Sequence, residues 1–331
     1  MCTHYGDGRP ANLRELVSRR GFLKAGAAAA VLGTAGTVGA PTAIAAPSSA
    51  PREQRSQRSQ RSQRSQRNQH RVPRDAVSIQ LYTMRDLMDA DLDATFAGLA
   101  AIGYRKVEQA GFHGRTAREF KAALDAHRLH ATSGHHSTYP YEESRWRKMI
   151  EDAYLLGQRY MVEPLPAFIA TGLASPLVPP SLAWGRYAED LNKAAEQARI
   201  FGIEVGYHNH NPEFLPLPDD PSRTGYDILL AETDPDLVHF ELDIHWAWRA
   251  GQDPVELLQA HPTRFRQFHV KDMDENGDIT APGTGVIDFA RVFQAATDLG
   301  IAEYTIEQDN AGQNAMETAR LGFDLLSTIR W

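Results

Sequence analysis

Four short stretches carry imidazoles and carboxylates at spacings that a β-strand would bring to one face: Tyr207-His208-Asn209-His210-Asn211, Glu241-Leu242-Asp243-Ile244-His245, His269-Val270-Lys271-Asp272 and Ile306-Glu307-Gln308-Asp309. Side chains alternate along a strand, so His208 shares a face with His210, Asp243 with His245, and His269 with Lys271. One group from each stretch gives His208, Asp243, His269 and Glu307. Two imidazole nitrogens and two carboxylates around an open position suit one divalent ion of borderline hardness, Mn²⁺, Zn²⁺, Co²⁺ or Fe²⁺. Taken singly, a histidine could be a hydrogen-bonded rim residue, Asp243 a helix cap, and Glu307 the ion-pair partner of Lys271. Taken together at one level of a barrel, these groups would repel or stay unsatisfied without a cation.

The chemistry such a site can do is the removal of a proton from carbon beside a carbonyl. A cation stabilises the enediolate while a nearby base takes the proton. Glu163, at the end of Met161-Val162-Glu163-Pro164, is the candidate for one proton carrier, with Glu307 or His210 as the other. His245 and Lys271 are candidates for orienting hydroxyls or holding an oxyanion. Trp146, Trp184, Trp246 and Trp248 offer flat apolar surfaces on which a sugar ring could pack. Gly283-Thr284-Gly285 could cradle a phosphate, although a single Gly-x-Gly carries little weight.

Groups on four separate segments meet only if the chain repeats one supersecondary unit. Apolar or β-branched runs recur at Val77–Met84, Lys106–Ala110, His130–His135, Tyr160–Leu165, Ile203–His210, Val238–His245, Phe265–Val270 and Glu303–Gln308. Helical patterning lies between them, at Leu92–Ile102, Ala117–His127, Glu142–Leu156 and Tyr187–Phe201. In the last of these, Leu191, Ala194, Ala195, Ala198 and Phe201 form one apolar face. Gly103 and Gly202 stand where helices should stop. Eight alternating units predict a (β/α)8 TIM barrel over 75–331, close to the ~250 residues typical of that fold, with chemistry at the C-terminal ends of the strands. The Pro- and Gly-rich stretch from Ala167 to Leu182 reads as a loop over those ends.

The segment before the barrel is of another kind. Ser18-Arg19-Arg20-Gly21-Phe22-Leu23-Lys24, a weakly apolar run and Ala43-Ile44-Ala45 read as a twin-arginine signal peptide over 1–45. Residues 46–74, with Arg-Ser-Gln repeated four times up to Gln66, have almost nothing to bury and read as a disordered linker. The expected location is periplasmic, cell-envelope or extracellular, reached through the twin-arginine export machinery, with no transmembrane segment in the mature chain. Residues 75–331 carry 22 Lys/Arg against 39 Asp/Glu, a net charge of −17, which argues against a nucleic-acid partner. The single cysteine, Cys2, excludes a disulfide framework and thiolate metal sites in the barrel.

Over about residues 76–331 the chain is similar to the sugar phosphate isomerase/epimerase family, the xylose isomerase-like TIM barrels. The likeness rests on Ser78-Ile79-Gln80-Leu81-Tyr82-Thr83, the four stretches above and Gly283-Thr284-Gly285-Val286-Ile287-Asp288-Phe289. It implies one divalent ion, Mn²⁺ first among them, with Asp243, His269 and Glu307 as ligands. Where His208 aligns, the ketose epimerases have a glutamate that both binds metal and moves a proton, so the identity of the proton carrier is open here. The resulting expectation is a metal-dependent isomerase or epimerase of an unphosphorylated carbohydrate, acting through an enediolate. The alternatives are a lyase, dehydratase or keto-glycoside hydrolase on the same scaffold, and a non-catalytic sugar-binding barrel of the envelope. A DNA-cleaving member would need further zinc ligands and a basic face, and neither is evident.

Overall fold

The computed structural model describes residues 70–137, 141–164 and 179–331. The expected signal peptide, the expected linker up to residue 69 and most of the loop expected over 167–182 lie outside these described residues. Eight parallel strands form the sheet: β1 (Val77–Ile79), β2 (Lys106–Gln109), β3 (His130–His135), β4 (Tyr160–Glu163), β5 (Glu204–His208), β6 (Val238–Asp243), β7 (Phe265–Val270) and β8 (Glu303–Ile306). Each pairs with its successor from β2 to β8, and β8 pairs with β1. A single bridge between Gln80 and Glu108 spans the remaining seam, so the expected barrel is nearly closed. One main helix follows each strand: α1 (Leu92–Ile102), α2 (Ala117–Ala126), α3 (Glu143–Leu156), α4 (Ser181–Ala198), α5 (Gly225–Glu232), α6 (Pro254–Ala260), α7 (Phe289–Ala295) and α8 (Ala315–Thr328). Among the described residues no helix is long and apolar enough to cross a membrane.

Local chemistry sets these boundaries. Thr116 and Glu119 form a reciprocal cap at the start of α2, and Thr224 and Asp227 do the same for α5. Gly103 and Gly202 stop their helices as expected, with φ of 128° and 73° that side chains rarely adopt. Several strands end earlier than their composition suggests. Gln80 accepts from Tyr82 N and turns Leu81–Met84 into a 3₁₀ helix. Asp243 accepts from Trp246 N and starts the short helix Ile244–Arg249, so strand alternation does not relate Asp243 to His245. Phe201, expected on the apolar face of α4, is 42% exposed, because α4 ends at Ala198 and a 3₁₀ turn shifts the periodicity.

The apolar core lies between sheet and helices, where Tyr207, Phe240 and Phe268 from the outer face of the strands meet Tyr187 and Phe293. The lumen is different. Barrels of this kind are commonly filled by aliphatic layers. Here Gln80, Glu108, Ser133, His135, Glu241, Gln267 and His269 form buried polar contacts across it. On the face opposite the C-terminal strand ends, His70 N donates to Trp331 O at 3.0 Å, Trp331 N returns a bond to His70 O at 3.3 Å, and the two rings stack. Val72 is buried as well, so the compact unit begins ahead of Asp75.

Candidate metal centre

Register brings the four expected ligands together. Asp243 pairs with His269 across β6 and β7, and His269 pairs with Thr305 of β8, two residues before Glu307. His208 pairs with Glu241 across β5 and β6, which places it one step from Asp243. One donor atom from each of His208, Asp243, His269 and Glu307 lies within 4.8 Å of the others, and all four side chains are buried. Ligands about 2.0–2.4 Å from a common ion lie up to about 4–5 Å apart, so the spacing fits a divalent ion. Asp243 Oδ2 is buried without a hydrogen bond, an arrangement that is costly unless a cation compensates it. His208 Nδ1 sits 3.3 Å from Glu241 Oε2, at ion-pair distance but without hydrogen-bond alignment.

Charge at the site is heavily coupled. Lys271 Nζ is 2.9 Å from Glu307 Oε2, 3.0 Å from Asp309 Oδ2 and 3.2 Å from Asp243 Oδ2. Burial works against its charge, but Asp243, Asp309 and Glu307 outweigh burial and hold the ammonium protonated far above the ordinary range. Burial likewise opposes ionisation of Glu307, and Lys271 and His269 overcome it and pull its pKa down. For Asp243 burial prevails and its pKa rises to about 6.

Two buried acids beneath the quartet were not among the expected site residues. Glu108 Oε1 lies 2.7 Å from His269 Nε2, and Glu241 Oε2 lies 3.1 Å from the same nitrogen. His135, His208, Glu241 and His269 thereby form a second set of mutually close donors that overlaps the first. A signal for them existed in the sequence. Glu241 alternates with Asp243, and Glu108 is an acid within the short apolar run that became β2.

Above the quartet, the ring of His210 is 4.9 Å from His208 and 5.5 Å from Trp246. The turn that carries it is fixed by Glu213, whose Oε1 accepts from Tyr207 Oη at 2.7 Å and from His210 N at 2.8 Å. Burial, then Lys271, lowers the His210 pKa to about 3, so the imidazole is neutral. His245 arrives through the first turn of the short helix, buried against Trp246, with both ring nitrogens lacking a hydrogen bond. Glu163 is placed differently from the expectation. It pairs in register with Tyr207, whose side chain faces α4, whereas Val162 pairs with Gly206 on the lumen side, so strand alternation turns Glu163 away from the quartet.

Two of the four tryptophans considered for a sugar platform are core, and the glycine turn, given little weight as a phosphate cradle, has another occupant. Trp146 and Trp184 are core residues of α3 and α4, and Trp246 has the Lys271 ammonium 5.2 Å above its ring. The Gly283-Thr284-Gly285 turn wraps a carboxylate of the chain itself. Gly283 N, Gly285 N and Ile287 N donate to Asp272 at 2.9, 3.0 and 3.2 Å, and a Cβ on Gly285 would lie 2.2 Å from Met273 O. Asp272→Ala should therefore lower stability by about 3 kcal/mol in urea unfolding, because several N–H groups lose a charged acceptor together. A loss below about 0.5 kcal/mol would show that the cradle is not structural.

A family model described as a xylose isomerase-like TIM barrel matches residues 96–328. The chain belongs to this family. An inosose dehydratase of Lacticaseibacillus casei is 26% identical over 275 residues, covering 72% of this chain and 91% of that one. A sugar phosphate isomerase/epimerase from Parabacteroides distasonis has a crystal structure with a TM-score of 0.62 at 25% identity, covering 76% of this chain and 93% of that one. The IOLI protein, in a crystal structure with a binding zinc atom, shares the fold at a TM-score of 0.58 and 16% identity, over 76% of this chain and 98% of that one. In this xylose isomerase-like barrel the buried His/Asp/Glu group could hold a divalent metal. The donor set does not single out Mn²⁺, because two imidazoles serve Zn²⁺, Co²⁺ and Fe²⁺ equally well.

Proposed function

We propose that the protein is a divalent-metal-dependent lyase that removes water from a keto-cyclitol or keto-sugar lacking a phosphate. The dehydratase name of the curated relative supports the lyase reading over the isomerase or epimerase expected first. The observation that carries the chemistry is the pairing, at one barrel mouth, of a buried His/Asp/Glu quartet with a neutral His210 whose Nδ1 makes no hydrogen bond, Glu213 Oε1 standing 4.0 Å from it.

His208, Asp243, His269 and Glu307 would hold the ion, and its charge, once bound, favours the enolate form of a ketone. His210 takes the proton from the carbon beside the ketone, since only a neutral imidazole can accept one. The electron pair of that C–H bond forms the carbon–carbon double bond as the β-hydroxyl departs. His210 returns its proton to the departing hydroxyl, so one imidazole serves as base and then acid, and water leaves. Lys271, locked in its charged form by three carboxylates, orients the substrate oxygens and supports the developing negative charge. His245 adds two unpartnered ring nitrogens for hydroxyl recognition.

The test is incubation of the zinc-, cobalt- or manganese-loaded protein with an inosose and with a panel of keto-sugars and keto-glycosides, read by mass spectrometry. A product lighter by one water is expected. Net isomerisation or epimerisation without water loss would restore the first reading, and binding without turnover across the panel would favour a sugar-binding barrel. We further propose export by the twin-arginine route, supported by Ser18-Arg19-Arg20-Gly21-Phe22-Leu23-Lys24. Replacing Arg19 and Arg20 by lysine should retain the protein inside the cell, and unchanged export would refute that assignment.

A further inference from the structure

The two histidine ligands each present one ring nitrogen to the quartet and the other to the carboxylates beneath it. His269 Nδ1 is 2.8 Å from Glu307 Oε2, while its Nε2 is 2.7 Å from Glu108 Oε1. His208 Nε2 is 3.8 Å from Asp243 Oδ2, while its Nδ1 is 3.3 Å from Glu241 Oε2. Neither Glu108 nor Glu241 exposes any surface, and the elimination chemistry uses neither.

A neutral imidazole has one N–H and one lone pair, and the partner of the first decides which nitrogen carries the second. Glu108 is suited to that task because its own orientation is fixed. Gln80 Nε2 donates to its Oε1 at 2.7 Å and Ser133 Oγ donates to its Oε2 at 2.6 Å. Ser133 Oγ in turn accepts from Gln267 Nε2 at 3.0 Å, and Gln267 Oε1 faces His239 Nε2 at 2.8 Å. Every donor in this chain points toward Glu108, so the carboxylate remains an acceptor, and its Oε1 lies nearer His269 Nε2, at 2.7 Å, than His135 Nε2, at 3.1 Å. Glu241 reaches both ligand rings, with its Oε2 3.1 Å from His269 Nε2, and its Oε1 has no hydrogen bond of its own.

We propose that Glu108 and Glu241 are positioning residues that set which nitrogen each histidine ligand turns to the metal, Nδ1 of His269 and Nε2 of His208. This rests on the metal-centre reading and not on the identity of the substrate. Two measurements on the full chain test it. In the zinc-loaded wild type, imidazole ¹⁵N NMR should find a proton on Nε2 of His269 and on Nδ1 of His208. By chelator competition, Glu108→Gln and Glu241→Gln should each bind zinc about 10–100-fold more weakly, since each keeps an acceptor of the same shape but loses the charge. Zinc affinity within twofold of wild type in both variants, or a proton on Nδ1 of His269, would overturn the assignment. The NMR measurement needs no variant and so decides the matter even if a substitution prevents folding. A wild-type chain that takes up no zinc, cobalt or manganese would overturn the metal centre, and this inference with it.

Discussion

Replacing Asp243 with asparagine should leave a folded barrel that no longer retains its metal and turns over about a thousandfold more slowly. The two oxygens of Asp243 have separate tasks. Oδ1 accepts from Trp246 N at 2.8 Å and starts the short helix, a bond that asparagine can keep. Asn209 holds the backbone on either side, accepting from Asp243 N at 3.0 Å and donating to Asp243 O at 3.3 Å. Oδ2 is the buried oxygen without a hydrogen bond, and the negative charge it shares is what asparagine removes. Cation stabilisation of a developing enolate contributes several kcal/mol, and each 1.36 kcal/mol is tenfold in rate, which gives about 10³. Metal content after desalting, kcat/KM and far-ultraviolet circular dichroism measured on one preparation decide the outcome. Full metal occupancy with wild-type turnover would remove Asp243 from the ligand set.

Lys271→Met should have the largest effect on the metal-free protein. The substitution leaves the buried carboxylates of Asp243 and Glu307, with the partly exposed Asp309 beside them, without the ammonium now 2.9–3.2 Å from each. Breaking a buried ion pair from one side costs about 3–5 kcal/mol, because the remaining charge stays desolvated and uncompensated. Two features separate this from ordinary core damage. Saturating zinc should recover much of the loss, since an ion bound only by the folded state supplies positive charge at the same place. Acid should recover part of it as well. Burial already raises the Asp243 pKa to about 6 with the ammonium alongside, against an ordinary 3.8. The folded state then binds that proton more tightly than the unfolded state, so the group contributes stability as pH falls through about 6 toward 3.8 and loses that contribution as pH rises through 6. Thermal unfolding with chelator and with zinc, at pH 5.5 and 8, resolves both. A deficit independent of metal and pH would indicate lost packing instead.

The grouping of the quartet was legible in the sequence because each of its residues lies at or next to the end of a strand, and in a parallel barrel all such ends open on one face. Alternation also placed Lys271 beside His269 correctly. What the sequence did not disclose depends on closure of the ring. Glu108 meets His269 across 161 residues, from strands that face each other over the lumen of the nearly closed ring. Glu163 was misjudged because a carboxylate at a strand end looks catalytic until register assigns its face, and the partner of that position is outward-facing Tyr207. His245 came to the site by an unforeseen route, since the cap made by Asp243 replaced two residues of strand with the first turn of a helix. The glycine turn was rightly given little weight as a phosphate cradle. Its amides do bind an anion, and the anion is Asp272.

The clasp between His70 and Trp331 has an engineering consequence. The polypeptide enters and leaves the barrel at neighbouring points, on the side away from the catalytic mouth. A reporter, an affinity handle or a surface-immobilising linker joined upstream of residue 70 or after Trp331 would thus be moored at the base, with substrate still able to reach the opening from above.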